Sequence, residues 1–140
     1  MIRLAVTGAA GRMGRTLVQA IHEADDLALG AALERPGSSL VGSDAGELAG
    51  VGRLNVAVAD DLAAVTGDFD ILVDFTVPEA TLAHAAVCAS HGKGLVIGTT
   101  GFDADGRARI AAAAERVPVL MAPNMSVGVN LMFRLAELAA

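Results

Sequence analysis

Apolar positions along the chain fall into short runs that switch between the strand and helix periods. Residues 2–7 (IRLAVT) form an apolar run ending at Gly8, and residues 12–23 then carry Met13, Leu17, Val18 and Ile21 at helical spacing. This predicts a strand, a glycine turn and a helix. The run 27–33 (LALGAAL), set between Asp25–Asp26 and the charged pair Glu34–Arg35, predicts a second strand. Residues 36–53 are rich in Gly and Ser with few large apolar side chains, which predicts a long irregular connection of the kind that usually serves function. A short run at 55–58, a helix at 60–66 and a strand at 70–76 (DILVDFT) follow. Pro78 suits the first turn of a helix that Gly92 closes, and GLVIG at 94–98 reads as a buried strand. A helix at 103–116, a strand at 117–121 and a last helix from near Ser126 complete the order. Strands alternating with helices imply right-handed crossovers, hence a three-layer α/β domain with a doubly wound parallel sheet.

Composition narrows the function classes. At 140 residues the chain is the size of one domain with a single core. Although 54% of the residues are apolar, they are mostly Ala, Val and Leu in runs far short of a membrane-spanning helix. The start, MIRLAVTG, goes straight into a strand without a leader-like apolar stretch, so a mature cytoplasmic N-terminus is expected. A net charge of -6 with basic residues scattered singly argues against nucleic acid as a partner. The lone cysteine, Cys88, cannot form an internal disulfide and fits a reducing compartment.

The segment GAAGRMG places Gly8, Gly11 and Gly14 between the first strand and the first helix. Glycines there let the chain turn sharply and let a pyrophosphate approach backbone N–H groups at the positive end of the helix, while Gly14 allows the helix to pack close to the sheet. Taken alone the pattern is weak, since a tight turn without ligand has the same spacing. Glu34 adds to it: an acid at the end of strand two, twenty positions after Gly14, accepts hydrogen bonds from adenosine ribose hydroxyls in Rossmann-type domains. Arg35 beside it offers a guanidinium for the 2'-phosphate of NADP, so both NADH and NADPH are expected cofactors. An exposed ion pair at the strand end is the alternative for these two residues. Two further loops, GTTGF (98–102) and APNMSVGVN (122–130), lie at carboxyl ends of strands, where open parallel sheets bind ligands. Either could instead be a turn and a helix cap, Ser126 being a good N-cap on its own.

The strings GAAGRMG, ALERPGSSLVGSDAGELAG, VDFTVPEAT, HGKGLVIGTTGF and APNMSVGVN, in this order and spacing, resemble the N-terminal domain of the dihydrodipicolinate reductase family. The resemblance covers essentially the whole chain and implies NAD(P)H-dependent reduction of 4-hydroxy-tetrahydrodipicolinate, in lysine and diaminopimelate synthesis, by a homotetramer. It implies a pyrophosphate site at Gly8, Ala9, Ala10, Gly11, Arg12 and Met13, a ribose contact at Glu34 and a 2'-phosphate contact at Arg35. It also implies nicotinamide-side contacts from Gly98, Thr99 and Thr100 and from Ala122, Pro123, Asn124 and Met125. Val77 departs from the arginine that some members place there, and Met125 from a phenylalanine. Residues 1–127 are then the dinucleotide-binding domain, and 128–140 the start of a helix leading to a substrate and tetramerisation domain.

The paired-histidine motif, lysine and Ser-Gly-Thr clamp that the resemblance associates with the substrate half are absent from this sequence. His22, His84 and His91 fall on predicted helices and are expected to lie remote from the strand ends, leaving no proton donor near the nicotinamide and no catalytic residue. The chain alone is accordingly expected to bind cofactor without turnover. His84, Cys88 and His91 share a helix stripe, but three ligands spread over nearly two turns do not converge on one ion, so packing for Cys88, helix-end contacts for His91 and no metal are expected. Asp74 is expected to organise the turn after its strand. Two rivals remain: another two-domain reductase such as an amino-acid dehydrogenase, against which the GTTGF and SVGVN strings speak, and a stand-alone dinucleotide-binding module without catalysis.

Overall fold

A computed structural model describes residues 1–139; Ala140, the last residue of the expected segment 128–140, lies outside the described residues. Six strands form one parallel sheet: β1 (Ile2–Thr7), β2 (Leu27–Leu33), β3 (Val58–Ala59), β4 (Ile71–Asp74), β5 (Gly94–Ile97) and β6 (Val119–Met121). Their order across the sheet is β3-β2-β1-β4-β5-β6, so the chain winds outward from β1 in one direction and then from β4 in the other. The helices are α1 (Arg12–Glu23), α2 (Ala45–Ala49), α3 (Pro78–His91), α4 (Ala104–Ala114) and α5 (Val127–Ala139). This is the doubly wound Rossmann-type arrangement expected from the alternation of periods, with its switch point between β1 and β4.

Each face of the sheet carries its own core. Leu4 and Val6 of β1 pack with Ile21 of α1 and Ala45 of α2, while Ala5 between them packs with Ala85 and Cys88 of α3 and Ile110 of α4. That is the period-two alternation of a strand buried on both sides. In β2 the alternation breaks. Leu27 and Leu29 face the α1–α2 side, but Ala31 and Leu33 face the α3–α4 side, because β1 pairs Leu4 with Leu29 and then Ala5 with Ala31. Gly30 is the extra residue of a bulge, and a Cβ there would overlap the backbone carbonyl of Asp68. An isolated glycine inside a strand run is the sequence signal for such a bulge, which the reading of 27–33 as a plain strand passed over.

Three segments depart from the sequence expectations. The connection 36–53 contains helix α2, because Asp44 accepts hydrogen bonds from the N–H groups of Gly46 and Glu47 at its N-terminus, and Gly50 ends it in the left-handed conformation (φ 82°). The expected helix at 60–66 is only a 3-10 turn over Ala63–Val65: the Asp61 carboxylate takes the N–H of Ala63. The strand expected over 70–76 stops at Asp74, since the Thr76 N–H donates to Thr99 Oγ1 (2.9 Å) and cannot join a ladder. The other helix ends agree to within two residues, α4 being Ala104–Ala114 against an expected 103–116, and α3 has Pro78 in its first turn and Gly92 closing it at φ 67°.

Gly30→Ala forces a side chain against the Asp68 carbonyl and is expected to lower stability by about 1–3 kcal/mol, read as the shift of a urea unfolding midpoint. An unshifted midpoint would show that the bulge tolerates a Cβ. Cys88 is fully buried, and that burial, with the nearby Asp74 charge, pushes its thiol up to about 12. It is expected to resist a thiol reagent near neutral pH until the protein unfolds, and rapid labelling of the folded protein would refute that.

Candidate functional site at the carboxyl edge of the sheet

The chain leaves β1 through Gly8, whose φ of 60° suits a residue without a side chain, and enters α1 within four residues. Gly14 sits in the first turn of α1, where a Cβ would lie 2.6 Å from the Cα of Ala9. Only hydrogen there lets the helix start so close to the strand, as the sequence predicted for this glycine. No side chain caps α1, so the N–H groups at its first turn face outward as an anion-binding end. The cradle is narrower than the run Gly8–Met13 suggested. The N–H of Ala9 is given to the Leu33 carbonyl (3.0 Å), that of Gly11 to Gly8 (2.9 Å) and that of Ala10 to the Glu34 carboxylate (2.9 Å). The N–H groups of Arg12 and Met13, at the first two helical positions, have no hydrogen-bond partner among the described residues.

Glu34 follows directly from the bulge. With the parity of β2 inverted, the residue after Leu33 points to the α1 side and its Oε1 accepts the N–H of Ala10, while its second carboxylate oxygen has no hydrogen-bond partner among the described residues. Beside it opens a cleft of about 420 Å³, lying over the switch point between β1 and β4. Gly8, Glu34 and Arg35 line it from one side and Thr76, Val77 and His84 from the other. Arg35 is exposed and makes no ion pair among the described residues, so the ion-pair alternative for it does not hold. The walls include Leu33, Leu62, Ala80, Ala83 and Val87, flat apolar surface of the kind that takes an aromatic ring. Ala80, Ala83, His84 and Val87 form an i, i+3, i+4, i+7 stripe of α3, a signal present in the sequence but not read as a site.

Behind this cleft lies a polar cluster around Asp74, which is fully buried. Its Oδ1 accepts from the Thr76 hydroxyl at 2.6 Å and its Oδ2 meets His84 Nδ1 at 2.7 Å. Thr81 donates its hydroxyl to Thr99 Oγ1 (2.8 Å), which also receives the Thr76 N–H. Asp74 thus organises the turn after β4, as expected. Burial would raise its carboxyl, but the bonds from His84 and Thr76 outweigh that and hold it below the ordinary carboxylate range. The expectation that all three histidines lie remote from the strand ends fails at His84: it is anchored to the carboxyl end of β4, because the first two turns of α3 run back over that end. His91, in contrast, makes helix-end contacts, its Nδ1 lying 2.9 Å from the Val87 carbonyl.

The residues expected on the nicotinamide side divide. Thr99, Thr100 and Pro123 line a second cleft of about 250 Å³ with Phe102 and Met121. The Thr99 hydroxyl is committed to Thr76 and Thr81, so this residue shapes the loop rather than offering its side chain. Gly98 has a packing reason for lacking a side chain, since a Cβ would overlap the ring of Phe75. Ala122 continues the sheet edge by donating to the Ile97 carbonyl (3.2 Å). Asn124 accepts the N–H of Ser126 (2.8 Å), and Ser126 in turn accepts that of Val129 in α5. Met125 is exposed, and neither cleft is lined by Ala122, Asn124 or Met125.

The family model for "Dihydrodipicolinate reductase, N-terminus" matches residues 2–125. Among solved structures the chain is similar to a dipicolinate-bound dihydrodipicolinate reductase from Paenisporosarcina sp. TG-14, at 29% identity and a TM-score of 0.81, covering 100% of this chain and 54% of that one. It is similar to an amine dehydrogenase from Mycobacterium smegmatis at 26% identity and a TM-score of 0.68, over 86% of this chain and 38% of that one. An oxidoreductase from Agrobacterium radiobacter, solved with NAD+, L-tartaric acid and magnesium, shares the fold at 18% identity and a TM-score of 0.68, over 89% of this chain and 36% of that one. The chain thus spans about half the length of the first of these proteins.

Three carboxyls sit below their ordinary range: Asp44, held by backbone N–H groups of Leu54 and the start of α2; Asp70, brought to about 2 by Arg3; and Asp74. The unfolded chain therefore takes up protons first on acidification, and the stability these groups contribute, complete above about pH 4, is lost as the pH falls toward about 2. The melting temperature is expected to drop across that window, and Asp70→Asn to flatten the drop. A melting temperature that stays level there would contradict these assignments.

Proposed function

Since the chain belongs to the dihydrodipicolinate reductase family through its N-terminal domain, we propose that it is the NAD(P)H-binding part of an enzyme that reduces 4-hydroxy-tetrahydrodipicolinate. The observation that carries this is Glu34 bonded to Ala10 at the lip of the switch-point cleft, an acid set where an adenosine ribose meets the glycine turn. The residues present fit a dinucleotide. The first turn of α1 can take a diphosphate only because Gly14 lets the helix begin against Gly8 and Ala9, a space a Cβ would fill. Arg12 and Met13 would hold the diphosphate through their N–H groups, Glu34 the adenosine ribose, and Arg35 a 2'-phosphate when there is one. Thr100 and Pro123 border the second cleft, which would take the nicotinamide end, with Gly98 and Thr99 keeping that loop in shape. When bound, the reduced nicotinamide supplies the hydride.

This chain's residues bind and orient; none of them delivers a proton to a substrate, because the one histidine at the strand ends, His84, lines the adenosine side of the cleft. The substrate-binding half is proposed to cover the apolar surface left open on β6 and α5, where Leu120, Val127, Leu131 and Leu138 are 57–83% exposed. A homotetramer, a place in lysine and diaminopimelate synthesis and a cytoplasmic setting belong to the same proposal. No described helix is long and apolar enough to cross a membrane.

Calorimetric titration of the purified chain is expected to show saturable binding of both NADH and NADPH. Glu34→Ala should weaken NADH more than Arg35→Ala does, by about tenfold, the size of a lost hydrogen bond to a charged group. Arg35→Ala should act chiefly on NADPH. The reverse ordering, or steady-state reductase turnover by this chain alone, would refute the assignment.

A further inference from the structure

The imidazole of His84 stands out in the cleft wall. It is the polar member of the stripe Ala80, Ala83, His84 and Val87, and its side chain is 22% exposed. Its Nδ1 is turned away from the cleft, 2.7 Å from Asp74 Oδ2. Among the described residues Nε2 has no hydrogen-bond partner, yet it is not a buried orphan either, so it is the polar atom the ring offers to whatever fills the cleft.

The protonation of that atom follows from its neighbour. An ionised carboxylate only accepts hydrogen bonds, so Nδ1 must carry the proton that lies between them. Asp74 is kept ionised by its contacts with His84 and Thr76. In the neutral imidazole Nε2 then holds a lone pair and seeks a donor. A carbonyl oxygen at that place would meet it lone pair to lone pair; an amino group would not.

We propose that His84 reads the adenine of the dinucleotide, its Nε2 accepting a hydrogen bond from the exocyclic amino group, with Asp74 as the positioning residue that fixes the imidazole tautomer. This deepens the dinucleotide reading and presupposes it. The apolar side chains around His84 hold the faces of the base, and one acceptor among them gives its edge a direction. Hypoxanthine carries a carbonyl at the position of the amino group, with its N–H donor moved to the neighbouring N1, so in the same seating it presents an acceptor to Nε2 and is disfavoured.

The test compares the dissociation constants of NADH and reduced nicotinamide hypoxanthine dinucleotide for the purified protein, by calorimetry. The wild type is expected to bind the hypoxanthine analogue about tenfold more weakly, as for one lost hydrogen bond. His84→Phe keeps an aromatic ring but removes the acceptor, and should bring the ratio of the two constants close to one. Asp74→Asn is nearly isosteric and keeps the carbonyl that Thr76 uses. Its amide donates to Nδ1 and moves the imidazole proton to Nε2, so the preference should invert toward the hypoxanthine analogue. A merely structural role for Asp74 would weaken both ligands alike, and should His84→Phe fail to fold, the inversion decides the matter alone. Equal affinity of the wild type for both ligands would overturn the proposal, as would a preference that survives both substitutions, which would pass the role to another acceptor such as Asp60 or Asp61 at the rim. Binding of neither ligand would overturn the dinucleotide reading itself, and this inference with it.

Discussion

The site depends on an extra residue in β2. Gly30 has no room for a side chain against the Asp68 carbonyl, and by bulging it exchanges the faces of everything after it. Leu33 therefore enters the α3–α4 core instead of the α1–α2 core, and Glu34 points to the glycine turn instead of away from it. A one-residue change of register moves a whole set of side chains across a sheet, so this bulge settles two things together: which core closes over β2, and whether an acid meets the start of α1. Gly14 is the matching constraint on the other side of that meeting, since it brings the helix down onto the turn that Glu34 grips.

The second organising element is the buried carboxylate of Asp74. An ionised group without water is costly unless every oxygen is partnered, and here one oxygen has the Thr76 hydroxyl and the other His84. Those partners come from the turn after β4 and from α3, and through Thr99 the cluster extends to the loop after β5. The hydrogen bonds of the cluster thus hold in register the loops that border both clefts. This is how an open sheet edge, built from short loops, keeps the two clefts at a set spacing.

Several residues that the family resemblance implied as ligand contacts have structural work as well. Gly98 makes way for Phe75, Thr99 spends its hydroxyl inside the protein, and Ala10 gives its N–H to Glu34. The family's signature strings therefore include residues that shape the loops at the carboxyl edge of the sheet. The apolar side chains left open on α5, none of them buried, set that helix apart from α1, α3 and α4, each of which buries one stripe against the sheet.

What the amino-acid order determined by itself was local: where strand and helix periods begin and end, Pro78 and Gly92 as the limits of α3, Gly8 and Gly14 at the first turn, and the alternation that implies a doubly wound parallel sheet. These follow from backbone conformation and from periodicity within a dozen residues. Tertiary structure decided what depends on distance in space. Helix α2 forms inside a glycine-rich connection because Asp44 caps it and Leu54, ten residues on, returns to the same carboxylate. The segment 60–66 shrinks to a turn, β4 stops at Asp74 because Thr99 takes the N–H of Thr76, and His84 reaches a strand end ten residues behind it. Those outcomes turn on which hydrogen-bond partners the fold brings together and on which face of the sheet a side chain meets, and the periodicity of apolar positions encodes neither.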